Sequence, residues 1–479
     1  MSKQKDSSSL LELKNVALLP TFGIISDNHK TTLIAAAYNG KHHVVAQLIK
    51  SNQVGKRNVD NLTALMCAAS NGHLECVKLL STTCELGMVD EEKSTALMFA
   101  ANNNRDKCVK FLVTTCELGM QDIEKWTALM LAADNNQVES VNILKDTKEI
   151  GMREENGMTA LMFAARYGYT ESLKSLMDTR ELGLKDNIGR TALMLAAETD
   201  QKEHVAILMK TKELCMRDNF GRTALMYATI SYSLQTTALL STTKEVGLQD
   251  ENGKTALMKS IRKYGVECLR IMMKTKELCI KDKKYQTALI QAVTLNIEPC
   301  VKLLMETKEL YTYDNEGTNA LMYAAKMGHA NLVQMFMTTQ LVGKQNIKDY
   351  TALMLASIAG KPRCVKMLAG IVDIENSTDI VKLVLSSRIR NKNNRLEYKT
   401  HTERAHTLMV GNNESELIFV NNDPVLLWAI CNKKVPYVKL FINTGELHKR
   451  NCDQKTALML AKESKNIACI NILLSCLGM

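Results

Sequence analysis

The sequence predicts an all-α solenoid, in which short helix–turn–helix repeats stack one upon the next. The strongest observation is a fixed period: the tetrapeptide Thr-Ala-Leu-Met, or a close variant, starts at Thr31 and returns every 32 residues as far as Thr351. A period of this length is typical of stacked-repeat architectures. Two further observations delimit a short helix in each repeat. A Thr that can cap the helix opens the tetrapeptide, and a Gly or Asn often stands nine residues later.

We name each repeat by the first residue of its tetrapeptide. The 13 recognisable repeats begin at Thr31, Thr63, Thr95, Thr127, Thr159, Thr191, Thr223, Thr255, Thr287, Asn319, Thr351, Pro424 and Thr456. The register slips after Thr351, and the last two repeats are again 32 residues apart.

The Thr191 repeat shows the elements in order. Asp186 to Gly189 is a turn sequence, in which Gly189 is free to take a positive φ. Thr191 is a natural N-cap for a first helix of small and apolar residues. A second helix follows, with Val205 and Leu208 at helical spacing. It ends in a recurring Thr-Lys-Glu, whose lysine we expect to lie at the negative end of the helix.

The first helix should stop at a left-handed residue, because Gly and Asn tolerate that conformation best. Eight of the 13 repeats carry one of them nine residues after the tetrapeptide begins: Gly40, Gly72, Asn104, Asn136, Gly168, Asn296, Gly328 and Gly360.

This pattern resembles the ankyrin repeat, whose family sequence is Asp-x-x-Gly-x-Thr-Pro-Leu-His-x-Ala-Ala-x-x-Gly. The resemblance covers roughly residues 26–370 and 419–479, and Asp218-x-x-Gly221-x-Thr223-Ala-Leu-Met is among its clearest copies. It implies an ankyrin-repeat solenoid with projecting β-turn fingers. The chain has Ala in place of the family's Pro, mostly Met in place of its His, and a period shorter by one residue. The Thr-Ala-Leu-Met style is similar to the large ankyrin-repeat families of diplomonad protists.

The breaks in the pattern predict four regions. We expect an N-terminal leader or cap over residues 1–26, an ankyrin array over 27–372, a degenerate repeat with a basic insertion over 373–420, and C-terminal ankyrin repeats over 421–479.

The 14 cysteines are expected to be packing residues rather than disulfides or metal ligands. Six of them occupy one position, 13 residues into the repeat, where other repeats have Val44, Ser140 or Leu332. Buried free Cys behaves as a small hydrophobe. With no secretory signal and no apolar run long enough to cross a membrane, we expect a cytoplasmic protein, with association to the cytoskeleton left open.

No cofactor, metal site or catalytic constellation is expected. Gly253-Lys254-Thr255 ends like a phosphate-binding loop, but five residues separate Gly247 from Gly253 where that motif needs four. The same turn recurs at Gly189 and Gly221, so we interpret it as part of the repeat. The His residues lack the spacing of a metal or catalytic site.

The ankyrin resemblance implies that the turn fingers and the exposed ends of the first helices, on a concave face, contact a partner protein. The residues at these positions are Ile123, Glu124, Trp126, Arg166, Tyr167, Arg262, Lys263, Lys326 and Tyr350. Trp, Tyr and Arg dominate interface hot spots, which favours Trp126, Arg166 and Tyr167 as one binding surface. The alternative for Trp126 is local packing over the neighbouring turn.

The sequence therefore predicts a non-enzymatic intracellular scaffold or adaptor that binds other proteins. Binding to nucleic acid is not expected, and neither is a membrane-spanning segment. The oligomeric state is left open. The alternative is an electrostatic tether to nucleic acid or another polyanion through residues 388–404. That segment carries six Lys and Arg against two Glu in a chain of net charge +10.

Overall fold

The computed structural model describes residues 32–348, 350–369 and 455–477, together with Ile430 and Val438. The predicted leader 1–26, the predicted insertion 373–420 and its basic segment 388–404 lie outside the described residues. The chain divides between Ala192 and Leu193 into two compact bodies, the N-terminal body and the C-terminal body.

The described residues form short α-helices and no β-strand, as the sequence predicts. The helices of the N-terminal body are α1 (Thr32–Tyr38), α2 (His42–Leu48), α3 (Ala64–Asn71), α4 (Leu74–Leu80), α5 (Ala96–Asn102), α6 (Asp106–Leu112), α7 (Ala128–Asp134), α8 (Val138–Leu144), α9 (Ala160–Tyr167) and α10 (Thr170–Met177). Those assigned to the C-terminal body are α11 (Ala192–Glu198), α12 (Lys202–Leu208), α13 (Ala224–Ile230), α14 (Leu234–Leu240), α15 (Ala256–Lys259), α16 (Val266–Met272), α17 (Ala288–Thr294), α18 (Glu298–Met305), a 3₁₀ helix (Lys308–Tyr311), α19 (Ala320–Met327), α20 (Ala330–Phe336), α21 (Ala352–Ile358), α22 (Pro362–Ala369), α23 (Ala457–Glu463) and α24 (Ile467–Leu477).

Each repeat from Thr31 to Thr351 contributes two antiparallel helices, and like helices of successive repeats pack side by side within each body. In the N-terminal body α1, α3, α5, α7 and α9 form the row of first helices, and α2, α4, α6, α8 and α10 form the row of second helices. The tetrapeptide leucines, such as Leu65, Leu97 and Leu129, are fully buried. The small alanines that follow them allow the helices to approach closely, which explains why the repeat tolerates few aromatic residues.

The predicted Thr cap of the first helix is confirmed in part: the tetrapeptide Thr accepts from the helix in the repeats that begin at Thr63, Thr95, Thr127, Thr255 and Thr351, and it makes no such bond at Thr159, Thr191 or Thr223. In the Thr63 repeat the hydroxyl of Thr63 accepts from the Met66 N–H at 3.3 Å. The thioether of Met66 lies 3.5 Å from the Thr63 N–H, in the place that Glu takes in a capping box. In this repeat, and in those of Met98 and Met354, the methionine that replaces the family's His is therefore both a core residue and part of the cap.

The first helix ends at a left-handed residue nine positions into the repeat, and this prediction is also confirmed. Gly72 has φ +81° and Asn104 has φ +59°. Asp200, Tyr232 and Lys465 adopt the same conformation although they are neither Gly nor Asn, so the repeat geometry overrides the local preference.

The Thr255 repeat departs from this rule. Its first helix, α15, is only four residues long, and Tyr264 at the ninth position is not left-handed. The chain instead turns at Gly265, where a Cβ would lie 2.1 Å from the carbonyl oxygen of Ser260. No side chain fits there. Between the end of this short helix and Gly265, Arg262, Lys263 and Tyr264 are three consecutive exposed residues.

The cysteine column is buried, as expected. Cys76, Cys108, Cys268, Cys300, Cys364 and Cys469 are each at most 1% exposed. Burial raises the pKa of both Cys108 and Cys300 to about 11. The six cysteines of this column are free, which fits the packing interpretation.

A column of buried glutamates links successive repeats, and the sequence interpretation missed it. Glu149 is 1% exposed. One of its carboxylate oxygens accepts from the Leu129 N–H of its own repeat at 2.8 Å, and the other accepts from the Gly119 N–H of the preceding repeat at 2.8 Å. The carboxylate thus satisfies an N–H group at the start of α7 that the helix itself leaves free.

The same bonding to the first helix recurs from the Thr63 repeat to the Thr287 repeat. The glutamates are Glu85, Glu117, Glu149, Glu181, Glu213, Glu245, Glu277 and Glu309. The Thr-Lys-Glu sequence is therefore important chiefly for its glutamate. Leu341 stands at the next equivalent position and is buried as an apolar residue.

The turns between repeats form fingers that are joined by backbone hydrogen bonds. In one finger Asp122 accepts from the N–H groups of Glu124 and Trp126 at 2.9 and 2.8 Å. The Ile123 N–H donates to the carbonyl of Glu92 in the preceding finger at 2.9 Å. The fingers are thus held at a fixed spacing from one another.

Candidate protein-binding surface

Trp126 stands at the base of a finger and packs against the next repeat. Its ring centroid lies 4.4 Å from that of Phe163 on α9, with the planes tilted by 32°. Phe163 is 4% exposed, whereas Trp126 is half-buried. This contact is the local packing that the sequence left open for Trp126, and it leaves part of the indole at the surface.

Arg166 and Tyr167 lie at the C-terminal end of α9, where both are half-buried. The Arg166 guanidinium lies 5.8 Å from the centre of the Tyr167 ring. Tyr169 lies just beyond the helix, with its ring 6.1 Å from that of Tyr167. A guanidinium and two phenols therefore share one corner of the Thr159 repeat.

The preceding repeat adds a carboxylate to this corner. Burial raises the pKa of the Tyr167 hydroxyl, and the charge of Asp134, the last residue of α7, acts in the same direction. The same two causes raise the pKa of Tyr169. The corner thus combines both charges with aromatic surface, which suits recognition of a protein surface.

Phe163 joins the two parts of the candidate surface. On a helix, residues three and four apart are neighbours on one face. Phe163 therefore lies beside Arg166 and Tyr167 on α9, while its ring packs against Trp126. Sequence reasoning had placed Trp126, Arg166 and Tyr167 together from the family pattern and had overlooked Phe163. An aromatic residue between the tetrapeptide and the helix end was the available signal.

Ile123 and Glu124 occupy the tip of the finger that carries Trp126. Ile123 is 51% exposed, and Glu124 is half-buried. The carbonyl of Glu124 accepts from the Glu155 N–H at 3.0 Å, which continues the ladder between fingers. The Ile123 N–H and both backbone groups of Glu124 are bonded within the fold, so recognition at this tip depends chiefly on the side chains.

The remaining predicted contact residues belong to the C-terminal body. Arg262, Lys263 and Lys326 are exposed. Tyr350 is half-buried, and its N–H donates to the side-chain oxygen of Asn346 at 2.9 Å in the turn of the Thr351 repeat. Trp126, Arg166 and Tyr167, in contrast, belong to the N-terminal body.

The resemblance of Gly253-Lys254-Thr255 to a phosphate-binding loop comes from a repeat turn. Gly253 has φ +76° and donates its N–H to the carbonyl of Asp250 at 2.8 Å. Thr255 caps α15 by accepting from the Met258 N–H at 3.4 Å. The backbone groups of this turn are thus engaged within the repeat, as they are at Gly189 and Gly221.

The described residues contain no group of three or more His, Cys, Asp or Glu placed to hold a metal ion. None of the helices in the described ranges is both long enough and apolar enough to span a membrane.

The comparisons with known proteins agree with the geometry. The family model described as "Ankyrin repeats (3 copies)" matches residues 10–90, 32–122, 78–153, 97–186, 161–242, 231–314 and 300–379. Since these matches together extend over more than half of the chain, the protein belongs to the ankyrin-repeat family. Ankyrin repeats are in general protein–protein interaction modules. No curated protein matches the chain. The similarity to diplomonad ankyrin proteins stays a prediction.

Proposed function

We propose that this protein is a non-enzymatic intracellular scaffold or adaptor, and that the surface formed by Trp126, Arg166 and Tyr167 binds a partner protein. The single observation that carries the proposal is the aromatic and charged corner of the Thr159 repeat. There Trp126 and Tyr167 present aromatic surface beside the Arg166 guanidinium, and the buried Phe163 ring supports Trp126.

The fold supports this function in two ways. The Trp126 ring is already packed on Phe163, so little of its side-chain freedom remains to be lost on binding. Stability in a repeat array is local to neighbouring repeats. An interaction surface can therefore differ from one repeat to the next without changing the architecture.

The test is affinity purification from the native cell with mass spectrometry. Arg166→Ala/Tyr167→Ala removes the charged and phenolic groups and leaves Trp126 on Phe163. Ser70→Ala/Asn71→Ala is the matched control, because these residues take the same two positions in the Thr63 repeat. Selective loss of a defined set of proteins from the first variant supports the proposal. Recovery of the same set by both variants and the wild type contradicts it.

The alternative function is an electrostatic tether to nucleic acid or another polyanion through residues 388–404, which carry six Lys and Arg. Binding of this kind weakens steeply with salt. If nuclease treatment and about 0.2 M salt release all captured material, the tether replaces the scaffold as the better account.

A further inference from the structure

The C-terminal body carries an exposed stripe that the repeat pattern does not explain. It comprises Tyr264, Leu295 and Met327, which are 73%, 54% and 41% exposed, the exposed cations Arg262, Lys263 and Lys326, and the half-buried Lys361. We call this set the basic–apolar stripe. Its residues come from the Thr255, Thr287, Asn319 and Thr351 repeats, which are consecutive in the chain.

The fold brings these residues side by side. The first helices α15, α17, α19 and α21 pack against one another in order. Leu295 and Met327 take the same position in adjacent repeats, and Tyr264 lies one position further on. Neighbouring packed helices are about 8–10 Å apart, so the three apolar side chains span roughly 20 Å.

The irregular turn of the Thr255 repeat creates the most exposed part of the stripe. Elsewhere the first helix ends at a left-handed residue, whereas here it ends after Lys259 and projects Arg262, Lys263 and Tyr264. The Tyr264 ring packs edge-on against Tyr232 with centroids 6.4 Å apart, and the Lys263 ammonium lies 5.5 Å from the Tyr264 ring. A local departure from an otherwise regular design is where a functional site is expected.

The charge of the stripe is one-sided. At the seventh to tenth positions of these four repeats there are four Lys and Arg and no Asp or Glu. Carboxylates stand at its edge: Glu267 faces Arg270 at 3.5 Å, and Glu298 opens α18. In the N-terminal body the corresponding positions also hold three Lys and Arg (Lys41, Arg105 and Arg166), beside Asp134, but no large hydrophobic residue is exposed there. The exposed apolar side chains therefore distinguish the stripe more than its cations do.

We propose that the basic–apolar stripe binds an acidic segment of a partner protein, whose apolar side chains pack on Tyr264, Leu295 and Met327 while its carboxylates pair with the flanking cations. This inference rests on the proposed protein-binding function and adds a second site to it. The aliphatic side chains of Leu295 and Met327 favour a peptide over a nucleic acid, because they gain from apolar contact and gain little from phosphates.

To test this, a library of displayed random 16-residue peptides is selected for binding to the full-length protein. The affinity of each enriched peptide is then measured by fluorescence anisotropy. The proposal predicts that the enriched peptides are rich in Asp and Glu and contain apolar residues. It predicts that Arg262→Glu/Lys263→Glu weakens their binding at least tenfold, and that Leu295→Ser/Met327→Ser does so without changing the salt dependence. All four side chains are exposed, so the fold is expected to persist.

The matched control is Lys210→Glu/Lys274→Glu, which makes the same change in net charge at two exposed second-helix ends of the same body. The proposal is overturned if both charge variants lose the same amount of peptide affinity. It is also overturned if the enriched peptides show no excess of Asp and Glu, or if no peptide is enriched. Tighter binding of a 20-residue oligothymidylate than of any selected peptide would also overturn it. The scaffold function can survive each of these outcomes, since it is tested separately by the Arg166/Tyr167 variant.

Discussion

The carboxylate of Glu149 accepts a hydrogen bond from the Leu129 N–H at 2.8 Å, although 20 residues separate them and both are buried. Its other oxygen binds Gly119 in the preceding repeat. One side chain thus connects the end of a second helix, the start of a first helix and the neighbouring repeat. This arrangement gives each repeat a polar tie to the one before it.

Replacing Glu149 by Gln should loosen the junction between the Thr95 and Thr127 repeats. The Gln amide keeps one oxygen to accept from either Gly119 or Leu129, but its NH₂ group faces the N–H of the other. That buried N–H is left without an acceptor, which costs about 1–3 kcal/mol. Hydrogen exchange at the Gly119 and Leu129 amides should accelerate accordingly. Glu139→Gln on the exposed face of α8 is the control. Unchanged exchange at both amides in Glu149→Gln would refute the role given to this carboxylate.

The glutamate column should make the array more stable in mild acid. Burial raises the pKa of Glu149 above its ordinary value, against the opposing hydrogen bonds from Gly119, Leu129 and Thr127. The pKa values of Glu85, Glu117, Glu181, Glu245 and Glu277 are raised for the same reason. An acidic group whose pKa is raised in the folded state stabilises that state fully at pH values below its unfolded-state pKa of about 4.5. This stabilisation is lost as the pH rises through the folded-state pKa.

The measurement compares hydrogen exchange of wild type and Glu149→Gln at pH 7, 6 and 5, corrected for intrinsic rates. Exchange should be slower in wild type than in the variant, and this difference should grow as the pH falls towards 5. An advantage that shrinks over this range would mean that the hydrogen bonds outweigh burial and that the pKa is lowered instead.

Two glycines with the same backbone conformation should differ in their tolerance of a side chain. Gly55 and Gly253 both have φ +76°. A Cβ at Gly253 would lie 2.6 Å from the Lys283 backbone nitrogen, whereas at Gly55 the nearest atom is the Cys84 sulfur at 3.6 Å. Both Ala variants incur the left-handed strain of about 1–2 kcal/mol. Only Gly253→Ala should also displace the neighbouring finger, so its thermal unfolding should begin at a lower temperature. Equal melting curves for the two Ala variants would contradict the close backbone packing between successive fingers.

The cysteine column should resist modification in the folded protein. Cys108 and Cys300 have pKa values of about 11 and no exposed surface. Cys84 and Cys116 are exposed. With iodoacetamide at pH 8 and peptide mapping, Cys84 and Cys116 should be labelled first, and Cys108 and Cys300 only after denaturation. Early labelling of Cys108 would show that the second-helix row is not packed as described.

Removing the Trp126 ring should destabilise the Thr159 repeat, because it uncovers Phe163. Trp126→Ala is expected to cost about 1–3 kcal/mol locally, less than a fully buried aromatic. Ser94→Ala is the control, since Ser94 takes the same turn position in the Thr95 repeat. Faster exchange in α9 in the first variant alone is the expected result. Unaltered exchange there would mean that the ring does not support Phe163, and it would strengthen Trp126 as a contact for a partner.

The sequence predicted most of the fold because the repeat averages local signals over many copies. Thr63 as a cap and Gly72 as a helix end follow from single-residue preferences, and the structure confirms both. The role of Glu149 could not be predicted, since a Glu after a helix is ordinarily exposed and its partners lie 20 and 30 residues away. The break in α15 was missed as well, because it depends on the space beside Gly265 rather than on a motif.

The candidate surface was harder to predict than the fold. The family pattern selected Trp126, Arg166 and Tyr167 by position, but only the structure shows that Trp126 packs on Phe163, one helical turn before Arg166 and Tyr167. The family pattern also gave Arg262 and Lys263 as contact positions, but it did not indicate that they lie in an irregular turn. Their role in binding stays a prediction until a partner is identified.

The most direct measurement is a hydrogen-exchange footprint of the full chain, free and bound to a protein captured from the native cell. The account predicts that binding slows exchange in peptides that contain Trp126 and the C-terminal end of α9, around Arg166 and Tyr167. Protection confined to other repeats, with these peptides unchanged, would contradict the proposed binding surface.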